Sequence, residues 1–81
     1  MKIRVRVFGY DIPDAENTEM ELTEGATIAD LLAQYLRMFD IGLKEEEFIH
    51  SHFLINSRAD HAGAILHDGD DLTILRILGG G

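Results

Sequence analysis

Eighty-one residues, no cysteine and a formal net charge of −8 bound the possibilities before any motif is read. The length suits one domain with modest stability. The missing cysteine excludes disulfides, thiolate nucleophiles and iron–sulfur ligation, and the acidity leaves no basic footprint for nucleic acid.

Hydrophobic residues make up 46% and charged residues 27%, which is globular rather than disordered composition. No apolar run approaches the ~18 residues that cross a bilayer, and Met1-Lys2-Ile3-Arg4 has no signal-peptide core. A soluble cytoplasmic protein without a membrane partner is expected. Its acidity suits an encounter with a basic protein surface.

Lys2 to Phe8 alternates, with Ile3, Val5 and Val7 on one face and Lys2, Arg4 and Arg6 on the other. This predicts a half-buried strand. Gly9 to Asn17 is polar, holds the only proline, Pro13, and reads as a loop. Thr18 to Thr23 alternates again, with Met20 and Leu22 inward and Glu19 and Glu21 outward. Antiparallel pairing would set Arg4 and Arg6 against Glu19 and Glu21, which predicts a first hairpin.

After Gly25-Ala26, Thr27 with Asp30 resembles a capping box. Ile28, Leu31, Leu32, Tyr35, Leu36 and Phe39 then form one apolar stripe, which predicts a helix of about three turns ending at Gly42. Glu45-Glu46-Glu47 reads as a solvated loop or short turn. Phe48 to Ile55 predicts a third strand centred on Phe53-Leu54-Ile55, and Asn56-Ser57 a turn. A short strand is expected around Ala59 to His61, then irregular chain through Gly63. Leu66 should be buried, Asp68-Gly69-Asp70 should turn, and Asp71 to Ile77 should form the final strand.

The strongly apolar first and last strands suit neighbours in mid-sheet. The expected fold is α+β: a β-grasp, with a mixed sheet of four to five strands and one main helix packed across it. Residues 1–78 would form the single domain and residues 79–81 a flexible glycine tail.

Gly79-Gly80-Gly81 stands directly after the run Leu75-Arg76-Ile77-Leu78. Glycine has no side chain to bury and loses the most entropy on ordering, so three in a row add nothing to a core. A thin ribbon ending in a carboxylate can instead thread a narrow pocket, with no Cβ to obstruct attack on its last carbonyl.

Taken together, the sequence resembles the MoaD/ThiS family of ubiquitin-like sulfur carriers, which includes the molybdopterin synthase small subunit and the thiamine sulfur carrier. The resemblance spans essentially the whole chain. It rests on Lys2 to Gly9, on Glu24-Gly25-Ala26-Thr27-Ile28-Ala29-Asp30-Leu31-Leu32, on Asn56, on Leu66-His67-Asp68-Gly69-Asp70-Asp71 and on the terminal glycines. The first strand with Phe8-Gly9 is similar to the molybdopterin branch. The tail is closer to the thiamine branch, and lacks the proline pair usual before a molybdopterin carrier's diglycine.

The resemblance implies a carrier or cosubstrate, not an enzyme. An activating enzyme related to ubiquitin activation would use ATP to adenylate the Gly81 carboxylate. A persulfide or sulfide would then displace AMP, and the resulting thiocarboxylate would give sulfur to a partner synthase subunit. ATP belongs to the partner, and no cofactor is expected on this chain. Gly79 and Gly80 would let the carbonyl enter the site. Leu75, Ile77 and Leu78 cannot all face one core on an alternating strand. Leu75, Arg76, Ile77 and Leu78 are therefore the expected partner-binding residues.

Two other readings need the same residues or none of them. Activated Gly81 could form an isopeptide with lysine, as a protein modifier does, or the domain could be a non-catalytic interaction module with an idle tail. His50 and His52, two apart, would share a strand face, and with His61 or His67 could in principle hold a transition metal. The fixed spacings of structural zinc sites are absent and no metal site is expected. Asp68, Asp70 and Asp71 lack EF-hand spacing.

Overall fold

The computed structural model describes residues 1–9, 17–39 and 49–76. Five strands and one helix are built from them: β1 (Lys2–Phe8), β2 (Thr18–Glu21), α1 (Ile28–Phe39), β3 (His52–Ile55), β4 (Arg58–Asp60) and β5 (Asp71–Leu75). They form one mixed sheet in the order β2-β1-β5-β3-β4, the ubiquitin-like β-grasp arrangement. β1 pairs antiparallel with β2 and parallel with β5, and β3 pairs antiparallel with both β5 and β4.

The alternation in β1 is realised residue by residue. Ile3, Val5 and Val7 are buried while Lys2, Arg4, Arg6 and Phe8 are exposed. Leu72 and Ile74 of β5 and Phe53 of β3 face the same way and meet Ile28, Leu31, Leu32 and Tyr35 of α1 in one core. Each such side chain, fully buried, contributes about 1.5–3 kcal/mol against the entropy of ordering it. The Tyr35 and Phe39 rings pack 4.6 Å apart between centroids, one turn from each other on the helix.

The helix starts as its capping residues dictate. The Thr27 amide donates to Asp30 Oδ2 at 2.9 Å, and the Asp30 amide donates to Thr27 Oγ1 at 3.2 Å. Two further amides of the first turn, on Ile28 and Ala29, donate to the carbonyls of Ala64 and Ala62 at 3.1 and 2.9 Å. Donors that a helix end leaves unpaired are thus used to tie α1 to the 62–66 segment. The Gly42 stop and the Glu45–Glu47 stretch lie outside the described residues.

Three expectations need correction. First, Arg4 faces Glu19 in the ladder, but β2 begins only at Thr18, opposite Val5, so Arg6 has Thr73 beside it and no glutamate. Among the described residues, the lysine and arginine ion pairs are Lys2–Glu19 at 3.6 Å and Arg4–Asp71 at 3.9 Å, both well exposed and each worth at most about 1 kcal/mol. Second, β3 is shorter than expected: Ile49 is helical and His50 lies in a turn, so only His52 stands on the strand. Third, β4 begins one residue early, at Arg58. It starts there because Asn56 and Ser57 both take positive φ, +51° and +71°, in a tight two-residue turn.

Candidate functional site

The site is the place where β5 ends. Core packing fixes the parity of that strand: Leu72 and Ile74 are fully buried, so Asp71, Thr73 and Leu75 stand on the opposite face. The ladder then puts Leu75 in a row between Phe8 and His52. The next row holds Arg6, Thr73, Leu54 and Ala59. This face of the sheet is the one α1 does not cover.

The uncovered face is divided. Towards the start of β1 it is charged, with Lys2, Arg4, Glu19, Glu21 and Asp71. Towards the end of β5 it is apolar, with Phe8, Leu54, Ala59 and Leu75. Phe8 is 47% exposed, a large value for an aromatic ring on a central strand. Among the described residues, no carboxylate pairs with Arg6. A shallow groove of about 410 Å³ runs beside the patch, lined by His52, Leu54, Ala59, His61 and Leu75 among others.

Arg76 is the last described residue and is exposed. Its amide donates to the Phe8 carbonyl at 3.0 Å, one step beyond the Phe8–Leu75 pair. The root of the tail is therefore held against the edge of the apolar patch. Of the expected partner-binding residues, Leu75 and Arg76 lie there. Ile77, Leu78, Gly79, Gly80 and Gly81 lie outside the described residues.

The remaining candidates serve the fold. Asp68 Oδ1 accepts the Lys2 amide at 2.7 Å, and Asp70 accepts the His67 amide at 2.8 Å, so these carboxylates shape a turn around Gly69. His61 Nδ1 accepts the Gly63 amide at 3.1 Å. Among the described residues, no three histidine or acidic side chains converge as a metal site would require. Nor is any helix among them long and apolar enough to cross a membrane.

Comparisons with known proteins sort this geometry. No protein-family model matches the sequence, and no curated protein matches it significantly. Solved structures do match. SAMP1, small archaeal modifier protein 1, from Haloferax volcanii is similar with a TM-score of 0.81 and 19% identity, over 100% of both chains. A putative molybdopterin converting factor subunit 1 from Pyrococcus furiosus has a TM-score of 0.73 and 22% identity, over 91% of this chain and 94% of its own. A chain in the complex of subunits 1 and 2 of the molybdopterin-converting factor from Helicobacter pylori has a TM-score of 0.63 and 28% identity, over 100% of both.

In fold, the chain is ubiquitin-like, and the solved structures it is similar to include molybdopterin-converting-factor and small archaeal modifier proteins. The sheet shows what the tail alone does not. Phe8 and Leu54 belong to the same surface as Leu75, and Arg6 stands within it. The signal for Phe8 is parity: it shares the face of Arg4 and Arg6, so an apolar ring there has to be exposed. Leu54 carries no comparable signal, because an apolar run such as Phe53-Leu54-Ile55 does not say which face is open.

Proposed function

We propose that this chain is a sulfur carrier whose reacting group is the carboxylate of Gly81. A ubiquitin-activating-type enzyme binds the apolar half of the uncovered face, and the glycines carry the carboxylate to ATP. The carboxylate oxygen attacks the α-phosphorus, pyrophosphate leaves, and an acyl-adenylate forms. Hydrosulfide then attacks the acyl carbon, the bond to AMP breaks, and AMP departs with the electron pair. The product is a thiocarboxylate, which donates its sulfur in cofactor biosynthesis to an acceptor held by a synthase subunit. The catalytic groups belong to the partners, and this chain supplies the acyl carbon, the reach and the docking surface.

The observation that carries this reading is the adjacency of the Phe8–Leu75 patch to the root of a triglycine end. A surface that recognises and a tail that reacts are useful only together. The 28%-identical neighbour, which is a subunit in a two-subunit complex, supports a synthase partner and favours the pterin branch over the thiazole branch.

A second reading, conjugation of activated Gly81 to a lysine, is favoured by the likeness to SAMP1, a modifier. Intact mass with tandem fragmentation separates the two. After incubation with an activating-type enzyme from the same genome, ATP and sulfide, the carrier gains a mass shift localised to Gly81 that requires ATP. Fragmentation is needed because oxidation of Met1, Met20 or Met38 adds nearly the same mass. Branched lysine conjugates without a thiocarboxylate would support the modifier. An unmodified Gly81, with an enzyme active on another carrier, would refute both.

A further inference from the structure

The two parallel strands β1 and β5 end side by side at Phe8 and Leu75, and the residues after them, Gly9 and Arg76, are forced together. A Cβ on Gly9 would lie 2.8 Å from Arg76 Cβ, 3.1 Å from its carbonyl oxygen and 3.4 Å from its nitrogen. None of these atoms is the tip of a side chain that could swing aside. Gly9 also has a φ of +88°, where L side chains are strained. Gly25 and Gly69 have similar φ values, +87° and +84°, but a Cβ on either would meet nothing within 4 Å. Those two satisfy a turn. Among the described glycines, only Gly9 combines a positive φ with a close approach, and what approaches is the root of the tail.

We propose that Gly9 is a positioning residue for delivery of the terminal carboxylate, its bare Cα leaving the space in which Arg76 is held. This rests on the reading of Gly81 as the reacting group. The Phe8 carbonyl holds the Arg76 amide from one side, and the missing Cβ of Gly9 lets the chain settle there. A partner that docks on Phe8 and Leu75 measures out a fixed length of chain to the acyl carbon. A side chain at position 9 displaces the start of that length and leaves the docking surface intact. Misplacing a reacting atom by about 1 Å can cost on the order of 100-fold in rate.

The test is Gly9→Asn in the full chain. Asparagine tolerates positive φ but brings the Cβ, so it separates the close approach from the turn. The expected result is faster hydrogen exchange at the Arg76 amide, by tenfold or more, with the Val5 and Leu72 amides unchanged. In ATP-dependent adenylation, kcat is expected to fall about 10- to 100-fold with KM within about twofold, because docking is retained. A merely structural role would lower the melting temperature and spare kcat of the folded protein. Unchanged Arg76 exchange, or unchanged kcat, overturns the proposal. Should Gly9→Asn not fold, adding Arg76→Gly removes the 2.8 Å contact and should restore folding; no restoration also overturns it. Failure of the wild-type chain to be adenylated would instead overturn the carrier reading and the delivery role with it, while Arg76 exchange would still decide whether Gly9 holds the tail root.

Discussion

Asn56 clamps Asp70: its Nδ2 donates to Asp70 Oδ1 at 2.9 Å, and the carboxylate it holds is almost fully buried. The same side chain accepts the Asp71 amide on Oδ1 at 2.9 Å, while the Asn56 amide donates to the Asp71 carbonyl at 2.8 Å. One residue therefore joins the β3–β4 turn to the start of β5, and it does so at a φ of +51°. Asn56→Ala would lose both side-chain bonds, strip Asp70 of a donor and strain the backbone. We expect a loss of about 3 kcal/mol, or about 12–24 °C in melting temperature for a chain of this size. Asn56→Gly relieves the strain and should cost visibly less. Thermal melts of the two variants check this; a fall under about 5 °C for the alanine variant would show that the clamp contributes little.

The Thr27–Asp30 box makes a second, smaller prediction. Thr27→Ala and Asp30→Ala should each destabilise by about 1 kcal/mol. Because their bonds are reciprocal, the double variant should cost less than the sum of the two singles. Urea titrations of the four proteins give the coupling directly, and strict additivity would mean that the two bonds act independently.

The elements that were legible in the sequence share a property: their local pattern and their tertiary environment agree. β1 alternates because one face meets α1, and the stripe from Ile28 to Phe39 predicts the helix that covers it. Thr27 and Asp30 mark its start because the bonds they make are local. What was not legible depends on distant chain. The partner of Arg4 is Asp71, which the parallel β1–β5 register supplies and no hairpin pattern could. Gly9 looks like an ordinary loop glycine until Arg76 is brought against it. His50 and His52 share no strand face because His50 lies in the turn before β3, which starts at His52. Of the candidate site, the sequence pointed to Leu75 and Arg76 through the tail, but the surface around them is assembled from β1 and β3.

Tyr35 makes stability fall at alkaline pH. Burial raises its pKa above the ordinary value of 10.0, since the phenolate would be charged in the core. The folded state therefore holds the proton more tightly than the unfolded chain. Its stabilisation is fully present below pH 10 and is lost as pH rises through the folded-state pKa. Tyr35→Phe should flatten the stability profile above pH 10, with Tyr35 ionisation followed by its ultraviolet absorbance. An unaltered alkaline limb in the phenylalanine variant would place the effect elsewhere.

The apolar half of the uncovered face should matter to partners and hardly at all to folding. Phe8 is half exposed and Leu75 partly so, hence neither contributes a full core side chain's worth of burial. Replacing Phe8 with serine should shift stability by no more than about 1 kcal/mol. A central aromatic anchor in an interface, in contrast, typically costs 2 kcal/mol or more when truncated, which is about 30-fold in affinity. Phe8→Ser is therefore expected to raise KM for the activating enzyme by about 30-fold at nearly unchanged kcat, the opposite split to that expected for Gly9→Asn. Lys2→Ala, on the charged half of the same face and 66% exposed at its side chain, is the matched control and should change KM less than twofold. Titrating the enzyme with each variant at saturating ATP reads out the contrast. Equal effects from Phe8 and Lys2 would mean that the partner reads the charge of this face and not its apolar patch.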